Sequence, residues 1–461
     1  MDHVSPSPAP PSAARRAPRH RKDKSEAGRL SSAARRTLAL AVTVPVAGAV
    51  CAGAAGSAVA ADKGTVATAP DPSGTDSGTP DGKIAENLAS RINDPRLGTN
   101  LTGFVMDAES DKALWGHNES TALMPASNAK LATATAALGV LGPDHRFTTK
   151  VVYGDGTLTL VGGGDRLLTG ADVTELARTA AAGLKYAGVD SVKVRVDDSL
   201  FPEPTLAKGW SKDYFPGDVA PVRSLVVDGH AVMDTSVDAG QVFAAQLKDQ
   251  GVTVDGKVAH GKSSASDVPV AQHQSPTLAD TVHRMLKKSD SNIAETLFRM
   301  TALATGRPAT FEGGTEAVRD VLSERYGVPL DGYEQYDGSG LSRADRIPAV
   351  TLARILDLTT DPGNARTLGA VRDGLPVAGE AGSTLGTDLG RFDDADSKCA
   401  VGKVSAKTGT LTGSIALSGL TQGEDGRWRV FSFIENDSKA DPTAIKDAMD
   451  GLAATVNGCW A

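Results

Sequence analysis

Two residues whose side chains can perform nucleophilic chemistry, Ser127 and Lys130, lie three positions apart in the segment Met-Pro-Ala-Ser-Asn-Ala-Lys. Residues 131–138 are small or apolar, which predicts a helix that begins at or just before Ser127. The two side chains then lie one helical turn apart and can meet. An amine whose pKa is lowered by desolvation can take the proton of a serine hydroxyl. By itself this motif favours a simpler interpretation, in which Ser127 caps a helix and Lys130 is a solvated first-turn residue.

Two further stretches carry hydroxyl and amine groups. Lys407-Thr408-Gly409-Thr410 lies in an alternating, β-branched run that predicts a strand, and Gly409 in its middle indicates that another part of the chain approaches closely. Ser289-Asp290-Ser291-Asn292 lies at a break between two helical patterns. The order Ser-x-x-Lys, Ser-Asp, Lys-Thr-Gly is typical of penicillin-binding proteins and serine β-lactamases. Jointly the three motifs favour the catalytic interpretation.

The chain resembles the class C low-molecular-mass penicillin-binding proteins, the D-alanyl-D-alanine carboxypeptidase/endopeptidase family of serine peptidases. Further blocks that resemble family sequence lie at 162–165, 197–201, 209–210, 337–343 and 375–379. The resemblance spans roughly residue 85 to the C-terminus. It implies a penicillin-binding-protein/serine β-lactamase-like transpeptidase fold, in which an antiparallel sheet is packed with helices beside a helical subdomain.

The resemblance also implies catalytic roles. Ser127 would be the acylated nucleophile and Lys130 its base. Lys407 would supply positive potential and hydrogen-bond Ser289, which would relay a proton to the departing amine.

The substrate contacts are likewise implied by the resemblance. The backbone N–H groups of Ser127 and Thr410 would form the oxyanion hole, where each donor contributes roughly 3 kcal/mol. The hydroxyls of Thr408 and Thr410, on either side of Gly409, would bind the terminal carboxylate of a stem peptide that ends in D-Ala-D-Ala. β-Lactam antibiotics would acylate the same serine.

The middle motif departs from the family pattern. Aligned without a gap, the family's Ser-x-Asn element becomes Ser289-Asp290-Ser291, so a serine stands where asparagine is expected, and Asn292 follows one position late. Either Ser291 makes the contact to the acyl-side amide with a shorter reach, or a local shift brings Asn292 into the cleft.

Composition excludes some partners and cofactors. Residues 1–61 carry nine Lys/Arg and three Asp/Glu, which leaves 39 basic and 53 acidic residues in the remainder. Such an acidic protein is not expected to bind nucleic acid or an anionic membrane surface. The eight histidines show no His-Glu-x-x-His or comparable spacing, so we expect no metal and no other cofactor.

The first 61 residues read as a signal peptide with a long basic n-region. An apolar run from 37 to 61 ends in an Ala-x-Ala arrangement at Ala58 and Ala60. Sec export is the default, although Arg35-Arg36 resembles a twin-arginine signal. An uncleaved membrane anchor is the main alternative, because the run is just long enough to span a bilayer. We therefore expect an extracellular or cell-wall-associated enzyme at the outer face of the cytoplasmic membrane.

The rest of the chain divides by composition and pattern. Residues 62–82 are rich in Thr, Ser, Gly, Pro and Asp and predict a disordered linker. Residues 83–150 and 271–461 are assigned to the catalytic domain. Ser127 and Ser289 are 162 positions apart, which exceeds any loop, and 151–270 are assigned to one inserted β-rich domain. The fold class is α+β.

Of the three cysteines, Cys51 lies in the predicted signal peptide and would be removed with it. Cys399 and Cys459 remain, an even pair in an exported chain, which predicts a disulfide.

Three functions compete at this point. The first is an exported serine D-alanyl-D-alanine carboxypeptidase, with endopeptidase activity on cross-links left open. The second is a β-lactamase, for which the sequence assigns no glutamate to a deacylating water. The third is a catalytically weak cell-wall-binding protein, supported only by Ser291 in place of asparagine. The pattern favours the first.

Overall fold

The computed structural model describes residues 78–460, so the predicted signal peptide and most of the predicted linker lie outside the described residues. The linker prediction ends too late. A helix begins at Pro80, with the Thr79 hydroxyl accepting a hydrogen bond from the Gly82 N–H at 3.1 Å and proline in the first turn. The cap and the proline override the polar composition of these last linker positions.

The helices cover the faces of the main sheet and of the sheet of the inserted segment. In chain order they are α1 (Pro80–Arg91), α2 (Ala129–Leu141), α3 (Gly170–Tyr186), α4 (Thr235–Asp249), α5 (Leu278–Lys288), α6 (Ser291–Ala304), α7 (Phe311–Asp320), α8 (Ala349–Asp357), α9 (Ala365–Asp373) and α10 (Pro442–Asn457). Within residues 78–460 no helix is both long and apolar enough to cross a membrane.

The strands form one antiparallel sheet, one mixed sheet and a short pair. They are β1 (Leu101–Asp107), β2 (Ala113–His117), β3 (Ala122–Leu123), β4 (Thr148–Gly154), β5 (Thr157–Val161), β6 (Ser191–Asp197), β7 (Thr253–Val254), β8 (Ala259–His260), β9 (Val268–Gln274), β10 (Ile347–Pro348), β11 (Val404–Leu411), β12 (Ser414–Gln422) and β13 (Trp428–Asn436).

The main sheet has the order β11-β12-β13-β1-β2, with antiparallel neighbours throughout. It is buried on both faces because helices cover each side. Phe104 faces the core that includes α2 and α8, whereas its neighbour Val105 faces the core that includes α1 and α10. Helices on an antiparallel sheet make the fold α+β, as predicted.

The inserted unit has a sheet of its own, with the order β7-β6-β5-β4-β9 and β8 beside β6. The predicted boundaries at 151 and 270 fall inside β4 and β9, which pair with each other. The description "β-rich" is incomplete, because α3 and α4 pack against this sheet and the β5–β6 pair is parallel. Strand signals are the stronger ones in this part of the sequence, and they led to the description. The start of the long helix α3 is nevertheless marked by a capping box at Thr169 and Asp172.

One part of the inserted segment belongs to the catalytic core. Phe201, Trp210 and Val219 are buried in the same apolar cluster as α2 and α6. The Trp210 indole N–H donates to Asp337 Oδ2 at 2.5 Å. The insertion is therefore anchored by side chains within the catalytic domain as well as by its two chain connections.

Cys399 and Cys459 are joined as a disulfide, with Cα atoms 6.1 Å apart. The bridge connects the loop before β11 to the residue two positions beyond α10. It ties the edge of the main sheet to the helix that covers one face.

Candidate active site

The main sheet fixes the turn that carries Ser127. The Met124 N–H donates to Asn436 Oδ1 at 2.9 Å, and Asn436 Nδ2 and Ser414 Oγ donate to the Met124 carbonyl at 3.1 and 2.6 Å. Ala126 then adopts φ 47°, a left-handed conformation that costs energy for a residue with a Cβ. Ser127 follows in a 3₁₀ turn that leads directly into α2.

Two glycines let the backbone around Ser127 pack closely. A Cβ on Gly409 would lie 2.7 Å from the Pro125 carbonyl oxygen, which confirms the predicted close approach at this strand position. A Cβ on Gly340 would lie 1.9 Å from the Ala126 carbonyl oxygen, and Gly340 itself has φ +79°. Strand β11 and the loop 337–342 therefore pack against the turn that carries Ser127 from two sides.

Lys130 is fully buried and meets Ser127, as the one-turn spacing predicts. Its Nζ lies 2.9 Å from Ser127 Oγ, 2.7 Å from the Ser339 carbonyl oxygen and 3.4 Å from Ser291 Oγ. Ser127 itself is partly exposed. The alternative in which Lys130 is a solvated surface residue is wrong, because its side chain has no access to water.

Burial lowers the pKa of Lys130 to about 8, since the charged ammonium loses its hydration. The carboxyl groups of Asp337, Glu295 and Asp290 act in the opposite direction. A lysine with this pKa is about one-tenth neutral at pH 7, far more than an ordinary lysine, and a general base must be neutral.

Lys407 and Ser289 form the second amine–hydroxyl pair. Lys407 is fully buried, and its Nζ donates to Ser289 Oγ at 3.0 Å and to the Thr408 carbonyl at 2.7 Å. Burial holds the pKa of Lys407 well below its usual range, with smaller effects from the charges of Lys130 and Arg391. Donation to Ser289 does not depend on the charge state, because the neutral amine also carries N–H groups.

Ser289 ends α5 in the left-handed conformation, with φ 57° and ψ 38°. Asp290 follows as the cap of α6 and accepts a hydrogen bond from the Ile293 N–H at 3.0 Å. The predicted break between two helices is confirmed, and it is sharp. Positive φ at a serine is strained, and such strain is common where a side chain must be aimed at a site.

The structure separates Ser291 from Asn292. Ser291 Oγ lies toward the buried amine, 3.4 Å from Lys130 Nζ. Asn292 Oδ1 instead accepts a hydrogen bond from the Ala220 N–H of the inserted segment at 2.8 Å. The alternative in which a local shift brings Asn292 into the cleft is therefore not what the structure shows, because that side chain is already engaged in holding the insertion.

Strand β11 lies at the edge of its sheet, so part of its backbone is open to the cleft. The Ala406 N–H donates outward to the Pro376 carbonyl at 2.9 Å. Because backbone groups alternate along a strand, the N–H groups of Thr408 and Thr410 point to the same side. The Thr410 side chain is exposed, whereas the Thr408 hydroxyl donates to Thr384 Oγ1 at 2.8 Å.

Sequence reasoning missed several groups around Lys130. The Ser339 carbonyl is the shortest hydrogen-bond contact of Lys130, and Asp337 organises its loop by accepting from the Gly340 and Ser342 N–H groups at 2.7 Å each. A backbone carbonyl leaves no signature in a sequence. The block at 337–343 resembles family sequence, but nothing in it indicates which side chain it contacts.

Comparison with known proteins identifies the family. The sequence matches the D-Ala-D-Ala carboxypeptidase 3 (S13) family over residues 84–235 and 229–456. The chain belongs to this family. The matched residues include every motif residue described above, and they extend through the inserted segment.

Relatives of this carboxypeptidase agree with the assignment. It is 34% identical over 405 residues to carboxypeptidase DacB of Mycolicibacterium smegmatis, which covers 82% of this chain and 84% of the relative. It is 29% identical over 460 residues to the D-alanyl-D-alanine carboxypeptidase of an Actinomadura species, which covers 80% and 84%. The protein is thus a serine-type D-Ala-D-Ala carboxypeptidase, a hydrolase.

A solved structure confirms the fold prediction. Penicillin binding protein 4 from Haemophilus influenzae superposes with a TM-score of 0.64 at 24% identity, covering 80% of this chain and 99% of that chain. The penicillin-binding-protein fold of this carboxypeptidase, with a unit inserted between the first and second motifs, is therefore established.

Proposed function

We propose that the protein is an exported D-alanyl-D-alanine carboxypeptidase that trims peptidoglycan stem peptides through an acyl-Ser127 intermediate. The observation that carries the proposal is the buried Lys130 Nζ, 2.9 Å from Ser127 Oγ. A dry amine with a lowered pKa beside a partly exposed hydroxyl is the arrangement that activates a serine.

In the acylation step, neutral Lys130 takes the hydroxyl proton while Ser127 Oγ attacks the carbonyl carbon of the penultimate D-Ala. The oxyanion receives hydrogen bonds from the N–H groups of Ser127 and Thr410. The bond to the nitrogen of the terminal D-Ala breaks, and the proton that Lys130 accepted passes to that nitrogen by way of Ser289, which Lys407 holds at 3.0 Å. Water then hydrolyses the ester and restores the free serine.

The substrate carboxylate would lie against the exposed edge of β11. Thr410 offers an exposed hydroxyl there. The Thr408 hydroxyl donates to Thr384 and would bind the carboxylate by rotating its O–H toward it, because a carboxylate only accepts hydrogen bonds. Endopeptidase activity on cross-links would use the same acyl-serine chemistry with a different leaving amine.

The proposed location is the cell wall, outside the cytoplasm. The family acts on D-Ala-D-Ala peptides, and the Cys399–Cys459 disulfide suits an oxidising compartment. We propose stem peptides and β-lactams as the ligands of the cleft. The acidic composition gives no reason to add nucleic acid.

Incubation with a fluorescent penicillin tests the proposal against its competitors. A stable label that mass spectrometry places on Ser127, together with D-Ala release from a D-Ala-D-Ala peptide, supports the carboxypeptidase. Rapid turnover of the label points to a β-lactamase. The absence of both label and D-Ala release points to a wall-binding protein and contradicts the proposal.

The rate of penicillin acylation should depend on pH through Lys130. Because the base must be neutral, the rate should fall as pH decreases below about 8, by close to tenfold per unit, and level off above that value. The measurement is the second-order labelling rate across this range, with unfolding followed at each pH. A rate that stays constant from about pH 6 upward would show that titration of Lys130 does not control acylation.

Changes at Ser291 and Asn292 should separate substrate turnover from stability. We expect Ser291→Ala to slow peptide turnover, and Ser291→Asn to raise it several-fold, because a longer amide adds one hydrogen bond of about 1 kcal/mol to the substrate. Asn292→Ala leaves the buried Ala220 N–H unpaired and should instead lower the free energy of unfolding by about 1–3 kcal/mol.

The measurements are steady-state kinetics with a D-Ala-D-Ala peptide and denaturant unfolding, with wild type as the reference. Wild-type kinetics in both Ser291 variants would remove that residue from the substrate site. A large loss of turnover in Asn292→Ala at unchanged stability would show that Asn292 contacts substrate after all.

A further inference from the structure

Glu295 is a fully buried carboxyl group of α6 that the proposed reaction does not use. Its Oε1 accepts a hydrogen bond from the Ser339 N–H at 2.8 Å, and its Oε2 accepts one from the Gly338 N–H at 3.1 Å. Burying a carboxyl group in a protein core is costly unless its oxygens are hydrogen-bonded. Here the two oxygens accept hydrogen bonds from two consecutive backbone N–H groups of one loop.

That loop also holds the base. The carbonyl of Ser339 accepts from Lys130 Nζ at 2.7 Å, so Ser339 links Glu295 to Lys130 through its own N–H and C=O. The loop has little room to move. A Cβ on Gly338 would lie 2.4 Å from the Ala294 carbonyl oxygen, and the Thr133 hydroxyl donates to the Gly338 carbonyl at 2.8 Å.

The direction of the amine lone pair depends on these acceptors. A neutral lysine has two N–H donors and one lone pair, whereas the ammonium has three donors. The Ser339 carbonyl and Ser291 Oγ are the two acceptors other than Ser127 that lie within 3.4 Å of Lys130 Nζ. If they take the two N–H groups, the lone pair is left facing Ser127 Oγ.

We propose that Glu295 is a positioning residue of this peptidase, which holds the Ser339 carbonyl where it orients the lone pair of Lys130 toward Ser127. The inference rests on the proposed roles of Ser127 and Lys130. Glu295 touches neither substrate nor nucleophile. It acts on Lys130 through the peptide of Ser339 and also through its charge, which raises the pKa of the amine. Asp337 and Arg299 act electrostatically on Glu295 in turn.

Glu295→Gln tests the proposal. The glutamine amide places an NH₂ group at one of the two oxygen positions. That group cannot accept a hydrogen bond from the backbone N–H there, so one of the two hydrogen bonds to the loop is lost. In the stopped-flow reaction with a fluorescent penicillin, we expect the first-order acylation constant to fall about 10- to 100-fold, since small misplacement of a catalytic group has effects of this size. The dissociation constant of the non-covalent complex should stay within about twofold, because Glu295 does not contact the ligand.

Asp107→Asn is the matched control. Asp107 is also a buried carboxylate whose Oδ1 accepts from two consecutive backbone N–H groups, those of Glu109 at 3.1 Å and Ser110 at 2.8 Å, but it is the last residue of β1. Its Oδ2 also pairs with Arg427 at 2.8 Å. Both variants should therefore lose thermal stability. Only Glu295→Gln should lose acylation rate at a temperature where both remain folded.

A second variant keeps the test decisive if Glu295→Gln does not fold. Glu295→Asp retains the carboxyl group, but its side chain is one methylene shorter and cannot reach both N–H groups. The same loss of acylation rate is therefore expected. Wild-type acylation constants in the folded variant overturn the role of Glu295. That failure is distinct from failure of the proposed function, because the wild-type protein in the same assay would still be labelled on Ser127.

Discussion

Ser127→Ala should abolish both penicillin labelling and D-Ala release while the protein stays folded. The hydroxyl oxygen is the only protein atom proposed to bond to substrate carbon, so turnover should fall by at least about four orders of magnitude. The side chain is partly exposed, and its loss removes one hydrogen bond to Lys130, so stability should change by only about 1 kcal/mol. Labelling, D-Ala release and thermal unfolding are the measurements.

Ser264→Ala is a suitable control for this substitution, because Ser264 is exposed on the inserted unit. It should retain full labelling and full D-Ala release. If Ser127→Ala released D-Ala at the wild-type rate, the acyl-serine mechanism would have to be abandoned.

Lys130→Met should reduce the acylation rate by about 10²- to 10⁴-fold, the usual contribution of a general base. Methionine fills a similar volume without an amine, so the packing around α2 is largely kept. The variant leaves the Ser339 carbonyl without its 2.7 Å donor, and some loss of stability is expected. The measurement is the acylation constant, with circular dichroism to verify the fold.

Lys403→Met provides the comparison, since Lys403 is exposed just before β11 and its loss should leave acylation unchanged. Acylation of Lys130→Met at a rate close to wild type would assign the proton transfer to another group. Lys407 would then be the first to examine, because it is the other buried amine described in the cleft.

The parts of the site that sequence predicts are those encoded locally. The Ser127–Lys130 contact follows from helical spacing, and the close approach at Gly409 follows from a glycine within a strand. The sequence left Ser291 and Asn292 undecided, because the choice depends on the Ala220 N–H, which is 72 positions away in the chain.

The domain boundaries were harder to predict for a physical reason. Strand patterns mark the inserted sheet well, but they do not show where its connections dock. Trp210 and Val219 are buried in the catalytic core, where they shield other apolar side chains from water. An isolated apolar residue in a loop has no periodic pattern from which its packing partner could be predicted. The burial of Glu295 could not be predicted from the sequence either, since a carboxyl group in a helix usually faces water.

The order of strands in the main sheet determines when the active site can form during synthesis of the chain. β1 pairs with β13, and the turn before Ser127 is held by Asn436, more than 300 residues later. Such high contact order makes folding slow, because distant segments must meet before either gains stability. A chain synthesised from its N-terminus therefore carries Ser127 and Lys130 long before the last strand arrives to assemble them. Any truncation within β13 should yield a protein without a formed active site, however complete its three motifs are.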